Sequence, residues 1–295
     1  MRAASLIPLL MMGSTLYARP ELAARARTID DIVYAQVDGT NLMMDAALPA
    51  SHEPTPAVII VHGGGWVRGD RRVDVRPLFQ PLSEAGMAWF SISYRLVTDV
   101  SQFGVAIDDV ESAVRFVKAH AAEYNVDPER IALLGESAGG QLAAMATLRG
   151  GTAASVRAVV AFYTPTDLVS LIKNSDYIPA QIRSRVVGTP WERLVLAGLA
   201  QLSPVENVRR EMPPFLFIHG TADSLVPFSQ STNMCDRMRE AGASCAVYPV
   251  EGAGHGIRWW SQGERARAGK KMVEWLGREL NIPATISTAE ARANR

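Results

Sequence analysis

The chain of 295 residues has little cysteine, no net charge and few aromatic side chains. Its two cysteines, Cys235 and Cys245, and five scattered histidines show no metal-ligand spacing, so neither a metal nor another cofactor is expected. Thirty basic and thirty acidic residues cancel, which removes the basic excess that phosphate binding draws on and argues against a nucleic-acid partner. The apolar run from Ala3 to Met12 is too short, and too polar at its end, for a membrane-spanning helix. No stable membrane anchor is therefore expected. What remains, 48% hydrophobic and 20% charged, is the composition of a globular protein long enough for a large core.

The termini stand apart from that core. Residues 1–18 carry Arg2, an apolar stretch and a small-residue end at Ala18, the pattern of a secretory signal peptide, although Pro8 and Leu16 interrupt it. A secreted or periplasmic protein is the expectation, with a cytoplasmic one as the alternative. Export would allow Cys235 and Cys245 to pair, but two buried thiols are the expected state. The polar stretch 283–295 reads as a tail, which leaves 19–282 as the folded unit.

Within that unit, short apolar runs alternate with helical periods. Ile32 to Leu48, with Asp38-Gly39 at its middle, predicts a hairpin. Ala57 to Val61, Ile131 to Leu134 and Phe215 to Ile218 are apolar runs of the kind that form strands buried on both faces, and Val156 to Tyr163 and Ala246 to Val250 also read as strands. Helices are expected over 73–85, 104–122, 138–148, 229–241 and 265–280. Asp108 and Asp109 fall near the start of the second, where helix-end electrostatics accounts for them. Residues 164–214 look like an insertion over the sheet, with one weak helical stretch from Trp191 to Leu202. Such alternation specifies a mostly parallel sheet covered by helices, whose ligands gather at the carboxyl ends of the strands.

The chemistry-bearing residues fall at that edge. Ser137 lies between Gly135 and Gly139, in a strand-turn-helix context that lifts its hydroxyl beside a helix N-terminus. A serine needs a base, and His255, in a glycine-rich loop after the last strand, is the strongest of five histidines; His62 and His219 read as satisfied, partly buried imidazoles. Asp223, 32 residues before His255, is the expected acidic partner, with Asp167 second. The run His62-Gly63-Gly64-Gly65 ends an apolar strand, and the N–H groups of Gly63, Gly64 and Ala138 are candidate donors to an oxyanion.

These segments, together with Arg68-Gly69-Asp70, Ser93-Tyr94-Arg95-Leu96, Asp127 to Ile131 and His219-Gly220-Thr221-Ala222-Asp223, resemble the α/β-hydrolase fold. Within it they resemble the small serine esterases of the hormone-sensitive-lipase-like and bacterial feruloyl/acetylxylan-esterase-like families. The resemblance runs from about Ile32 to Leu280 and implies an eight-stranded sheet with a small insertion after the sixth strand. It implies Ser137 as nucleophile, His255 as base, Asp223 as acid, and Gly63, Gly64 and Ala138 around the oxyanion. Glu136 departs from the aspartate or histidine usual at its place. Little chain precedes the hairpin to form a cap, so an open site taking short acyl esters, including acetyl or feruloyl esters of carbohydrates, is expected. An arylformamidase or other amide hydrolase with the same triad is the alternative. Trp66, Trp259 and Trp260 are candidate walls of the substrate site, and ordinary packing explains them equally well. Oligomeric state is not specified by any of these features.

Overall fold

The computed structural model describes residues 26–97, 102–174, 184 and 186–282. The expected leader over 1–18 and the tail over 283–295 lie outside the described residues. Eight strands form one sheet: β1 (Arg27–Val37), β2 (Thr40–Leu48), β3 (Thr55–Val61), β4 (Ala88–Ile92), β5 (Val126–Glu136), β6 (Ala158–Phe162), β7 (Phe215–Gly220) and β8 (Cys245–Val250). Their order is β1-β2-β4-β3-β5-β6-β7-β8. β1 pairs antiparallel with β2 and β2 with β4, and every other pairing is parallel. This is the expected architecture.

The hairpin turn is formed by Asp38 and Gly39, both with positive φ, as a two-residue turn between twisted strands requires. Further in, β3, β4, β6 and β7 are buried on both faces because their side chains alternate between two apolar layers. On β3, Ala57, Ile59 and Val61 join the cluster that also contains Val110, Val114, Leu142 and Met145, whereas Val58 and Ile60 join the one containing Leu78, Leu82, Met272 and Leu276. The first layer is covered by α2 (Phe103–Ala119) and α4 (Ala138–Arg149), with α3 (Ala121–Tyr124) between them in the chain. The second is covered by α1 (Arg76–Glu84) and by the helix Gln262–Glu279, labelled α8 below.

Several boundaries differ from expectation for physical reasons. α1 begins at Arg76, not Val73, with a proline in its first turn where a missing N–H costs nothing. α8 begins at Gln262 because Ser261 accepts from the Glu264 N–H while the Glu264 carboxylate accepts from the Ser261 N–H, a capping box that fixes the start three residues before the expected Arg265. The aspartates in α2 do not act on its end. Asp109 is buried and receives the guanidinium and backbone N–H of Arg95, at 2.6 Å for the shortest contact, and Asp108 pairs with Arg149. Among the described residues of 164–214 there are two α-helices where one is expected: α5 (Leu168–Asn174) and α6 (Glu192–Gln201). The first escaped the sequence pattern because its only buried residue is Leu168.

Beyond this region, α7 (Ser229–Glu240) packs on the first layer through Met234 and Met238. Cys235 on α7 and Cys245 on β8 form a disulfide, which corrects the expectation of two thiols. The helix and the strand bring their Cα atoms to 5.3 Å, within the span a disulfide requires. Among the described residues, no helix is long and apolar enough to cross a membrane.

Candidate active site

The turn between β5 and α4 carries Ser137 at φ 51° and ψ −121°, a conformation that a side-chain-bearing residue adopts only when its surroundings impose it. The surroundings here are two glycines. A Cβ on Gly135 would lie 2.3 Å from the Gly139 carbonyl oxygen, and one on Gly139 would lie 2.3 Å from those of Val61 and His62. The strand end, the helix start and the β3 exit are thus in backbone contact. The Ser137 N–H also donates to the Phe162 carbonyl on β6 at 2.9 Å.

His255 and Asp223 meet this serine from the ends of β8 and β7. The Ser137 hydroxyl donates to His255 Nε2 at 2.9 Å, and His255 Nδ1 donates to Asp223 Oδ2 at 2.7 Å. Asp223 is buried, and its other oxygen accepts the N–H groups of Leu225 and Val226 at 3.0 and 2.9 Å. Burial alone would raise its pKa. Hydrogen bonds from His219 and His255, the His255 charge and the Val226 N–H outweigh burial and hold it at about 2. Asp167, the second candidate, accepts from the Ser170 N–H at the start of α5 and so serves a local turn.

The loop bearing His255 is tied down on both sides. Ala253 accepts from the Ala222 N–H at 3.0 Å, the Trp260 indole donates to the Gly254 carbonyl at 2.8 Å, and the Tyr163 ring meets the imidazole edge-on with centroids 4.8 Å apart.

The three candidate oxyanion donors are not in equivalent surroundings. Gly63 N–H points to Glu136 Oε1 at 3.4 Å, so it is engaged within the protein. Among the described residues, Gly64 and Ala138 have no protein acceptor for their N–H groups. Gly64 has φ 108°, and a Cβ there would meet the Arg68 carbonyl oxygen at 2.1 Å, so this position requires glycine. His62 lies beneath, stacked on Tyr94 and donating from Nδ1 to the Gly63 carbonyl at 2.8 Å; burial pushes its pKa down and keeps it neutral.

The three tryptophans separate. Trp259 is 81% exposed, with the Arg258 guanidinium over its ring. Trp260 is buried against Phe162 and Tyr163 and faces the core. Trp66 is half-buried against Phe103 and donates from Nε1 to Gln141 on α4 at 2.9 Å. Glu136, His219, Tyr163 and Gln141 were not identified as site residues in the sequence. His219 looked like a satisfied imidazole, which it is, but one of its contacts is Asp223. Glu136 stands inside the serine motif, and only its burial reveals a partner. Among the described residues, no group of histidine, cysteine and carboxylate side chains could hold a metal ion.

The sheet order, the strained serine turn and the three converging loops define an α/β hydrolase. The chain belongs to the BD-FAE family, whose model matches residues 44–238. It is 31% identical over 222 residues to Esterase LipC of Mycobacterium tuberculosis, covering 70% of this chain and 54% of LipC, so it spans about half the length of that relative. The structure is similar to a truncated form of a carbohydrate esterase from gut microbiota, with a TM-score of 0.71 and 26% identity over 88% of this chain and 98% of the other. It is also similar to native esterase 2 of the planctomycete Thermogutta terrifontis, with a TM-score of 0.70 and 26% identity, covering 91% of this chain and 96% of the other.

Proposed function

We propose that the protein is a serine carboxylesterase that hydrolyses short-chain acyl esters, among them acetyl or feruloyl esters of carbohydrates. The observation that carries this reading is the relay from Ser137 through His255 to Asp223, with contacts of 2.9 and 2.7 Å at one edge of the sheet. Ser137 Oγ attacks the ester carbonyl as its proton passes to His255 Nε2, and Asp223 holds the imidazole in the tautomer whose Nε2 is free to accept. The tetrahedral oxygen is received by the N–H groups of Gly64 and Ala138, each such donor contributing about 3 kcal/mol. His255 then gives its proton to the leaving alcohol, and water repeats the sequence on the acyl-serine to release the acid.

No residue of α6 is buried, which supports an open site of the kind suited to short acyl groups on large alcohols. The esterase names of the relatives and the carbohydrate esterase among the structural neighbours support the same substrate class. The exposed indole of Trp259, four residues beyond His255, offers a face for stacking on a sugar ring under this reading. The leader-like pattern at residues 1–18 supports export.

A panel of p-nitrophenyl esters, acetylated and feruloylated oligosaccharides, and aryl formamides, run with wild type and Ser137→Ala, tests the assignment. Short esters are hydrolysed fastest and the variant is inactive. Full activity in the variant overturns the mechanism; preference for formamides or long-chain esters overturns the substrate class.

A further inference from the structure

Glu136 carries a buried carboxylate that the reaction above does not use. It is 7% exposed and belongs to the strand end that delivers Ser137. Its Oε1 faces the Gly63 N–H at 3.4 Å, and its Oε2 accepts a short hydrogen bond from the Tyr163 hydroxyl. That hydroxyl accepts in turn from the Ile257 N–H at 2.9 Å, two residues past His255. One chain of hydrogen bonds thus runs from the oxyanion loop, behind the nucleophile turn, to the histidine loop. The oxyanion loop and the nucleophile turn are also in direct contact, since a Cβ on Gly63 would lie 3.3 Å from Ser137 Cβ.

We propose that Glu136 and Tyr163 are positioning residues for the hydrolytic reaction, a paired strut that sets the oxyanion loop and the histidine loop at their working separation on either side of Ser137. The inference rests on the serine-hydrolase reading of the site. A carboxylate suits the place because it accepts from donors on two sides at once, which neither an amide nor a protonated acid can do with both oxygens. Holding such a charge in the core is costly: burial raises the Glu136 pKa from 4.5 to about 7, against the lowering effect of the Tyr163 and Gly63 hydrogen bonds. The groups facing it are Tyr163 from the end of β6, Asp74 and Tyr94 from the loops after β3 and β4, and His255. Asp74 is itself paired with Arg258. The strut therefore loses its charge within the range in which the relay operates.

The test compares wild type, Glu136→Gln, Tyr163→Phe and the double variant on p-nitrophenyl acetate, with kcat and KM followed from pH 5 to 9. Each single variant is expected to lower kcat by about tenfold with KM within about twofold, and the double variant to be no worse than the weaker single, as for residues acting as one unit. The acid limb of the kcat profile, steeper than one proton in wild type, falls to a one-proton slope in Glu136→Gln. Unchanged kcat and an unchanged limb, or losses that multiply in the double variant, overturn the strut. If Glu136→Gln does not fold, Tyr163→Phe decides alone: it keeps the ring against His255 and removes only the hydroxyl, so an unchanged kcat overturns the inference. An inactive Ser137→Ala beside an unaffected Glu136→Gln removes the strut and leaves the esterase assignment intact.

Discussion

His219 Nε2 lies 3.3 Å from Asp223 Oδ2, the same oxygen that receives His255, so one buried carboxylate faces two imidazoles. His219 is oriented independently: its Nδ1 accepts from the Ser231 hydroxyl at 2.7 Å and its Nε2 donates to the Val226 carbonyl at 2.9 Å. The acid of the relay is thereby fixed by α7 as well as by its own loop. Its pKa of about 2 is lower than the ordinary 3.8, so ionised Asp223 contributes stability that is present above about pH 4 and lost as pH falls towards 2. Asp223→Asn is expected to reduce kcat by about 10³- to 10⁴-fold. The variant is also expected to be less stable than wild type at pH 7, by about 2 kcal/mol from this linkage alone. Urea unfolding at a series of pH values checks the sign, because the gap must narrow towards pH 2.

Gly139→Ala would place a methyl group 2.3 Å from two backbone oxygens of the β3 exit. Backbone on both sides of the contact leaves nothing that can rotate away. The expected outcome is loss of measurable esterase activity and a fall in Tm, whereas Gly254→Ala, which meets nothing within 4 Å, leaves Tm close to wild type. Differential scanning calorimetry and an ester assay on both variants check the contrast.

The Cys235 to Cys245 bond closes a loop of sequence separation 10 between α7 and β8. Constraining so short a loop is worth about 2–3 kcal/mol. Oxidised protein should take up no alkylating agent at either cysteine after denaturation, and reduction, or the double change to serine, should lower Tm while leaving kcat intact. Mass spectrometry of alkylated protein and thermal scans with and without reductant provide the measurement.

Arg95→Met leaves Asp109 with its charge at 1% exposure and its best partner gone. Breaking such a pair costs about 3–5 kcal/mol, far more than replacing both members by apolar residues of similar volume. The midpoint of urea unfolding should therefore fall further in Arg95→Met than in Arg95→Met/Asp109→Leu.

Trp259→Ala removes an exposed ring that no core contact requires. Under the carbohydrate-ester reading, KM for acetylated or feruloylated oligosaccharides rises by about tenfold with kcat nearly unchanged, while p-nitrophenyl acetate is hydrolysed as before. Equal KM values on the oligosaccharides would remove Trp259 from the substrate site.

The sequence by itself determined the fold and singled out Ser137, His255 and Asp223, because both depend on local pattern. The folded chain brings His255 within hydrogen-bond reach of the other two. A continuous apolar run such as Ala57 to Val61, short and bounded by turn residues, is the signature of a strand covered on two faces, and alternation with helical periods gathers the ends of the parallel strands at one edge. Ser137, Asp223 and His255 were legible because each follows such a run directly. Tertiary structure decided whatever depends on neighbours remote in the chain. Arg95 claims Asp109 across the turn from β4 to α2, which no helix-end rule contains. Glu136 faces the Gly63 N–H, whereas the N–H groups of Gly64 and Ala138 have no acceptor among the described residues. Trp259 and Trp260 are adjacent in sequence yet divide between solvent and core, because the turn at Ile257–Trp259 ends with the second indole against Tyr163. A buried polar group is assigned by the partner that desolvation obliges it to find, and that partner is a property of the folded chain.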